Sequence, residues 1–481
     1  MIKSIKKNSV YNIIRLSSST LLSLITLPYV SRILLTENIG KINFGLSIVN
    51  YVSLIASLGI NTYAIRECSK VRDNKEELSL VSSQIFSINI ITTFIAYIIL
   101  AIILLLHHKL YNYRLLIIIQ SLSIVASTVG TDWINSAMED FKYITIRTVI
   151  FQIISLFLIF MFVSKQSDYI KYAIIGLIST SGANLTNIWY RKRYCNIHFT
   201  KNIEWSHHLL PILYLFVMLL AQTIFHSVDL TMLGLMYGDH EVGIYSIAVK
   251  TLNLINQLIG SILWIIMPRM SYYFAKDDFE KINALLRKVL GFNLLLGFPC
   301  IVGTFILAKD IIRIIAGNAF SESALILQIL MIGFLFSLVG GNLLGNAVLL
   351  PARQEKYYMI VCCITAIINV LGNYIFIPKF GAKAAAGTTA VCSLIILILL
   401  LLKMDKRIRI VKIKNIFLSP IVGCSGIICV CRFASIIKKI EIRVIISLIC
   451  SILVYGFIQI LMKNELIDEV LKHFQQKYGI Y

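Results

Sequence analysis

The chain of 481 residues is 58% hydrophobic and only 14% charged, whereas soluble globular domains average about 45–50% apolar and about 25% charged residues. This composition excludes an ordinary soluble protein. The net charge of +21 would suggest nucleic-acid binding in a soluble chain, but here the Lys and Arg residues crowd the short segments between apolar runs. That distribution is typical of membrane topology, and we expect no nucleic-acid partner.

Long apolar runs follow one another from the amino terminus onward and predict an all-α polytopic membrane protein. The basic start "MIKSIKKNSV" leads into a run that ends in "PYVSR", which is not a small-residue cleavage site. We therefore interpret this run as a retained span rather than a signal peptide. Runs of at least about 18 residues predict fourteen spans, with limits near 10–34, 42–65, 80–106, 114–137, 144–164, 169–190, 208–237, 242–268, 289–308, 323–350, 357–377, 382–402, 416–436 and 443–462.

The connections between the spans predict orientation and exclude several kinds of chemistry. Most of the 45 Lys and Arg residues fall in the inner segments when both termini are placed in the cytoplasm. No connection is long enough to fold as a catalytic domain, and there is no glycine-rich phosphate loop. The ten cysteines include no CxxC pair. We expect a protein that is not an enzyme, without catalytic residues, cofactor or metal.

The first span ends in an unusual pair of residues for a membrane helix. Pro28 removes a backbone hydrogen bond and can kink the helix, although a harmless proline near a helix end is an equal alternative. Arg32 follows about one turn later, where it can either snorkel outward or face a cavity. Arg15 lies about a turn and a half inside the same span.

Polar residues in the second and eighth spans form one stripe on each helix. In the second span, steps of 4, 3, 7 and 4 residues place on one face Asn43, Ser47, Asn50, Ser57 and Asn61. In the eighth, Lys250, Asn253 and Gln257 follow steps of 3 and 4. Buried Ser, Asn and Gln often only join helices, but a lysine is not needed for that, so we expect the Lys250 stripe to line a cavity.

A shift of 203 residues superimposes these two stripes. It carries Ser47 to Lys250 and Asn50 to Asn253, and further pairs are Gly40 with Gly243 and Arg66 with Arg269. A second similarity within the chain relates the segment "MEDFKYITIRTVI" to the segment "ARQEKYYMIVCCI". We interpret the shift as a parallel repeat of two six-helix lobes about an axis along the membrane normal, with a central cavity between them. The predicted divisions are lobes 1–206 and 207–402, then an added helix pair and cytoplasmic tail, 403–481.

Three stretches resemble a known family: "TLPYVSRIL", "IGKINFGLSIVNYVSLIASLGINTYAIRE" and "DWINSAMEDFKYITIRTVI". They are similar to the oligosaccharide flippases of bacterial polysaccharide synthesis, whose superfamily also holds the MATE exporters and lipid II flippases. The resemblance covers about residues 8–402. It implies alternating-access transfer of an undecaprenyl-diphosphate-linked oligosaccharide, such as an O-antigen unit for lipopolysaccharide, across the cytoplasmic (inner) membrane. It also makes Pro28 a candidate hinge, and the polysaccharide polymerase and chain-length machinery candidate partners.

Carrying a diphosphate and a hydrated sugar through hydrocarbon requires cations and hydrogen-bond donors in a wet cleft. Arginine is the best phosphate partner because its planar fork binds two oxygens. The predicted substrate-binding or cavity residues are Arg15, Arg32, Ser47, Asn50, Arg66, Arg147, Lys250, Asn253, Gln257 and Arg269. Arginines at the cytoplasmic ends of helices have an alternative role as topology anchors.

Two intramembrane carboxylates, Asp132 and Asp229, complete the predicted site. Each can pair with a cavity cation or take a coupling H+ or Na+, and we expect pairing because a nearby cation favours the charged form. His226, one turn before Asp229, permits a proton relay. Two other functions stay open: a MATE-like cation-coupled exporter, whose cavity would favour acidic groups, and a membrane-embedded glycan polymerase or ligase, which the short outer loops disfavour.

Overall fold

The structure is a computed structural model that describes residues 5–408 and 413–468, and all regular elements within those ranges are helices. The all-α prediction is therefore confirmed. The α-helices are α1 (Ile5–Ser57), α2 (Ile60–Lys70), α3 (Lys75–Leu106), α4 (Arg114–Gly130), α5 (Trp133–Ala137), α6 (Phe141–Phe162), α7 (Tyr169–Tyr190), α8 (Trp205–Met236), α9 (Asp239–Ala275), α10 (Phe279–Ala316), α11 (Ser323–Ser337), α12 (Glu355–Phe380), α13 (Ala382–Leu402), α14 (Ile413–Ala434) and α15 (Ile440–Leu461).

Within the described ranges, eleven helical segments are long and apolar enough to cross a membrane. The predicted number of fourteen spans is not confirmed. One of the eleven, Val10–Lys70, is 61 residues long and contains the first two predicted spans. Helices α7 and α9 contain the sixth and eighth predicted spans but are not among the eleven segments. The chain is thus a multi-pass membrane protein.

The break between the first two predicted spans lies at Leu35 rather than in a loop. Leu35 has φ 60° and ψ −177°, while the residues on both sides continue in helical conformation. Such a backbone conformation costs a bulky residue about 1–3 kcal/mol, so packing must hold it in place. Pro28 lies seven residues earlier, inside the helix. Its predicted role as a hinge stays a prediction.

The chain forms two compact units, residues 1–243 and 244–481, here called unit 1 and unit 2. The division into 1–206, 207–402 and 403–481 stays a prediction. One core of unit 1 lies where α2, α3, α5 and the start of α8 meet, and Tyr63, Ile85, Ile134 and Ile212 are almost fully buried there. This core surrounds the helix ends that carry several of the predicted site residues.

In unit 1, the connection between α7 and α8 is bound in extended form along α3 by a ladder of hydroxyl groups. Three serines of α3, each one helical turn from the next, accept hydrogen bonds from alternate backbone amides of the connection. The pairs are Asn196 with Ser79 (3.2 Å), His198 with Ser83 (3.3 Å) and Thr200 with Ser87 (2.8 Å). His208, at the start of α8, is buried between Tyr63 (2.7 Å) and Gln84 (2.8 Å).

Unit 2 has its main core between α10, α13 and the π-helix that continues α11 through Leu338–Leu349. Helices α14 and α15 pack on α10, where the Tyr455 hydroxyl donates to the Leu295 carbonyl oxygen over 2.8 Å. An ion pair between Asp310 of α10 and Arg443 of α15 joins these two helices near the end of α10. The added helix pair is therefore bound to α10 by specific polar contacts as well as by apolar packing.

Candidate functional site

Two glycines that the 203-residue shift relates lie at one close helix crossing in unit 1. A Cβ atom on Gly40 would be 1.8 Å from the Asp239 carbonyl oxygen, and one on Gly243 would be 2.1 Å from the Thr36 carbonyl oxygen. The contacts are reciprocal, because each glycine meets the residue four positions before the other. This local pseudo-twofold crossing of α1 and the start of α9 supports the repeat that the sequence suggested.

The amino-terminal part of α1 is joined to α6 by polar side chains, with Arg15 in the middle of the contact. Gln152 of α6 donates to the Ser19 hydroxyl over 2.6 Å and accepts from Ser18 over 3.1 Å. Arg15 is half-buried and donates to Asn12 of its own helix over 2.9 Å. Its Nε atom is buried without a hydrogen-bond partner. Within the described ranges no carboxylate pairs with this guanidinium.

Arg32 and Pro28 interact directly with each other. The Arg32 guanidinium donates to the Pro28 carbonyl oxygen over 2.7 Å, and the Arg32 side chain is exposed. This contact occupies one side of the guanidinium on its own helix.

The polar stripe of the second span is divided between two environments. Ser47 is almost fully buried; it donates to the Phe44 carbonyl oxygen and accepts from the Thr231 hydroxyl of α8 over 2.8 Å. Asn50 and Asn61, by contrast, are exposed. Ser47 therefore joins helices in this structure, while the two asparagines have exposed side chains.

The corresponding stripe, on the part of α9 that lies in unit 2, differs in the burial and the contacts of its residues. Lys250 is half-buried, and in the part of the chain that is described it makes neither a hydrogen bond nor an ion pair. Asn253 and Gln257 are exposed. The repeat partners Asn50 and Asn253 thus share an exposed environment, but Ser47 and Lys250 do not.

Arg66 and Arg269, the repeat pair near the ends of α2 and α9, are both exposed. Arg66 donates to Glu67 over 2.9 Å, and Lys70 binds the other oxygen of the same carboxylate over 2.7 Å. Its charge is therefore partly neutralised at the helix end. This environment fits a topology anchor as well as a phosphate ligand.

Arg147 of α6 forms an ion pair with Asp132, the residue directly before α5. The distance from Arg147 Nη2 to Asp132 Oδ1 is 2.5 Å, and the side chains are 4% and 35% exposed. The guanidinium also lies 5.0 Å from the centre of the Tyr143 ring. Its Nε and Nη1 atoms are buried without partners. Asp132 therefore neutralises a deeply buried cation.

A network that the sequence analysis did not identify extends from this pair. Asn135 donates to Asp132 over 3.0 Å and to the Asn187 side-chain oxygen over 2.6 Å. Arg191, which follows α7, donates to the Val129 carbonyl oxygen and to the Thr131 hydroxyl. Burial lowers the pKa of this guanidinium from its ordinary value. The polar residues Thr131, Asp132 and Asn135, close together near the end of an apolar span, were the available signal.

Asp229 of α8 is almost fully buried, 4% exposed. It lies near the Tyr51 phenol of α1, so this carboxylate belongs to the contact between α1 and α8 in unit 1. The side chain of His226 lies outside the described ones, and the proton relay stays a prediction.

Comparisons with known proteins bear on these helices. Residues 5–274, more than half of the chain, match the sequence profile of the family described as "Polysaccharide biosynthesis protein". The chain belongs to the polysaccharide biosynthesis protein family. This result confirms the resemblance seen in the sequence. Residues 240–464 also match the profile described as "Lipid II flippase MurJ".

Individual relatives are distant but extend over most of the chain. A protein of Escherichia coli strain K12 named "Putative O-antigen transporter" is 24% identical, over 80% of this chain and 93% of its own length. The "Capsular polysaccharide biosynthesis protein CapF" of Staphylococcus aureus is 23% identical over 83% and 98%. The solved structure "Lipid II flippase MurJ, inward closed conformation" has a TM-score of 0.74 at 17% identity, with coverage of 95% and 99%. That last likeness shows the fold.

Proposed function

We propose that this protein is a flippase that moves a lipid-linked oligosaccharide across the cytoplasmic membrane by alternating access. The family and the names of its relatives, which include a transporter and a capsular polysaccharide protein, support transport of a polysaccharide precursor rather than catalysis. The observation that carries the proposal is Lys250, a cation on the predicted eighth span with no partner in the described chain.

The physical argument rests on the cost of polar groups in hydrocarbon. A charged side chain in the middle of a membrane helix is expensive unless it faces water, a partner or a bound ligand. Lys250 has two polar neighbours on its own face, Asn253 and Gln257, which are exposed. We infer that this face of α9 lines a water-filled passage, and that the ammonium group binds the diphosphate while the polyprenyl tail stays in lipid.

The candidate cations differ in how free they are to bind a phosphate. Arg147 is held by Asp132, and Arg66 shares Glu67 with Lys70. Arg15 and Lys250, which have no carboxylate partner within the described ranges, are therefore the first candidates for the diphosphate. This ranking assigns Arg147 and Arg66 mainly to folding and topology.

Several features of the function belong to the same proposal. Both termini are placed in the cytoplasm by the distribution of Lys and Arg. The carried glycan is an O-antigen unit or a related surface polysaccharide, and polymerase and chain-length proteins are expected partners. Coupling to H+ or Na+ stays a prediction, with Asp229 as the candidate site.

Transport of a fluorescent undecaprenyl-diphosphate oligosaccharide in reconstituted vesicles tests the proposal. We expect Lys250→Ala to reduce flipping at least tenfold and Lys250→Arg to retain a substantial part of it, because the positive charge is kept. Lys383→Ala is the matched control, since Lys383 is an exposed lysine of the same unit. Normal flipping by Lys250→Ala would remove this residue from the pathway, and no flipping by the wild type would overturn the function.

A further inference from the structure

The two related segments "MEDFKYITIRTVI" and "ARQEKYYMIVCCI" fold into the same turn, one in each unit. The second residue of each segment has a left-handed backbone, with φ 54° at Glu139 and 58° at Arg353. A helix begins two residues later in both, at Phe141 and Glu355. The residue between them, Asp140 or Gln354, therefore occupies an equivalent position before the helix.

The backbone hydrogen bonds of the two turns match bond for bond. In each turn, three successive backbone amides donate to the carbonyl oxygens of the residues four, three and five positions earlier in the chain. The bonds are Met138 to Ile134, Glu139 to Ser136 and Asp140 to Asn135 in unit 1, and Ala352 to Val348, Arg353 to Leu350 and Gln354 to Leu349 in unit 2, all between 2.8 and 3.1 Å. The two turns are therefore structurally equivalent, and their side chains can be compared position by position.

In unit 1, two tyrosines, one at the end of α7 and one four residues after it, fill the space beside the turn. Asp140 accepts hydrogen bonds from the hydroxyls of Tyr190 (2.6 Å) and Tyr194 (2.5 Å). The ring of Tyr190 also stacks on Tyr143 at 3.4 Å between centres. The acceptor before the helix is thus satisfied by phenol groups that the chain itself supplies.

In unit 2, the described residues leave the corresponding space open. A cavity of about 610 Å³ lies between the π-helix end, the start of α10 and the segment after α13. Lys403 lies over the ring of Tyr357, at 5.9 Å, where unit 1 has Tyr190 over Tyr143. Gln354 lines the cavity, and in the described structure its buried Oε1 atom has no hydrogen-bond partner. A buried acceptor without a donor is costly, so a turn of the amide toward a donor in the cavity is favourable.

The walls of the cavity combine apolar side chains with polar ones, and Asp277 and Arg353 are among the latter. Phe274, Phe279, Leu344 and Met404 supply apolar surface. The two charges nearest one another, Arg407 and Asp405, are paired at 2.8 Å, and the guanidinium lies 4.0 Å from the centre of the Phe279 ring. An uncharged ring that carries a hydroxyl group meets apolar contact on its faces and an acceptor at its end.

We propose that this cavity binds a tyrosine side chain of a partner protein, whose hydroxyl donates to Gln354. Unit 1 supports this choice of ligand, because an equivalent turn there already holds phenol groups on its acceptor. The predicted orientation places the cavity on the cytoplasmic side, where proteins that assemble the polysaccharide precursor would be found. The inference does not depend on the flipping activity.

Ligand-observed NMR on the full chain in nanodiscs tests the proposal, with N-acetyl-tyrosinamide as the probe. N-acetyl-phenylalaninamide is the matched control, since it lacks only the hydroxyl. Both are measured in a background in which Tyr478 and Tyr481 are changed to phenylalanine, so that the tail cannot supply the phenol. We expect the tyrosine probe to bind about threefold to tenfold more tightly, the range of one hydrogen bond.

Three variants locate the binding. Gln354→Leu is expected to remove the preference for tyrosine, whereas Gln354→Glu, which supplies a carboxylate as Asp140 does, preserves or strengthens it. Ser271→Trp, at an exposed lining position, is expected to abolish binding by filling the cavity. Gln328→Leu, on α11, is the control and leaves binding unchanged. Equal binding of the two probes, a tyrosine preference that survives Gln354→Leu, or binding that survives Ser271→Trp would overturn the proposal.

Discussion

Ser47 of α1 and Lys250 of α9 occupy equivalent positions in the internal repeat, but the structure uses them differently. Ser47 is buried and satisfied by Thr231 and its own helix, whereas Lys250 is half-buried and has no partner in the described chain. Arg147 sharpens the contrast, because that deeper cation is neutralised by Asp132. The position of a polar residue in the repeat therefore does not predict its function. The contacts that each side chain makes in the structure are the better guide.

The largest expected effect concerns the paired cation. Asp132→Ala leaves the buried Arg147 charge without compensation and should lower the free energy of unfolding by about 3 kcal/mol or more. The thermal midpoint of the purified protein in detergent measures this loss. The double variant Asp132→Ala with Arg147→Met should recover most of it, and a double variant as unstable as the single one would show that the pair is not the cause.

The helix crossing gives the next effect. Gly40→Ala and Gly243→Ala each place a methyl group against a backbone carbonyl oxygen, at 1.8 and 2.1 Å without rearrangement. Each substitution should destabilise by about 1–3 kcal/mol through overpacking. Because the contacts are reciprocal, the two losses should be similar in thermal melts. A large loss at one glycine alone would break the symmetry of the crossing.

Ser47 and Asn50 test the division of the second-span stripe. Ser47→Ala removes two hydrogen bonds from a buried site and should cost about 1 kcal/mol, while Asn50→Ala should change thermal stability by less than about 0.5 kcal/mol. For transport in vesicles we expect the opposite order, with Asn50→Ala the more harmful. Equal stability losses would mean that both residues join helices.

The smallest effect on stability is expected at Lys250. Lys250→Met removes a cation with no partner in the described structure and should leave the thermal midpoint unchanged or slightly higher, although transport falls. This outcome separates a substrate-binding role from a structural one. A midpoint lowered by several degrees would indicate that Lys250 has a stabilising contact.

Much of the fold follows from the sequence, and the reason is the length and apolarity of the helices. The predicted span 382–402 coincides with α13, and 169–190 with α7. The repeat was visible too, because the glycines at the crossing and the turns before α6 and α12 need particular backbone geometry. Because these positions need particular backbone geometry, the residues that provide it recur at a fixed spacing in the sequence.

The parts that could not be predicted depend on contacts between distant residues. The span limits 10–34 and 42–65 predicted an interruption within 35–41, but nothing in the sequence shows that it is a single strained leucine inside a continuous helix, since only packing holds that conformation. Pairing of Asp132 with Arg147 needs the corner between α5 and α6, and the open cavity at Gln354 needs the absence of tyrosines from a segment about fifty residues away. Sequence patterns report helices better than they report which side chains meet.

The hydroxyl ladder on α3 has a consequence for how this connection can change in length. Two residues of extended chain advance about 6.6 Å, and two residues four apart in a helix are separated by roughly 6 Å along its axis. Because the two distances are similar, alternate amides of the connection stay opposite successive serines of α3 over a few hydrogen bonds. One residue inserted between 196 and 200 would turn the following amides to the opposite side of the extended segment. Those amides would then lose their hydrogen bonds to the serines of α3. Two inserted residues would restore the phase, so the segment tolerates even insertions better than odd ones.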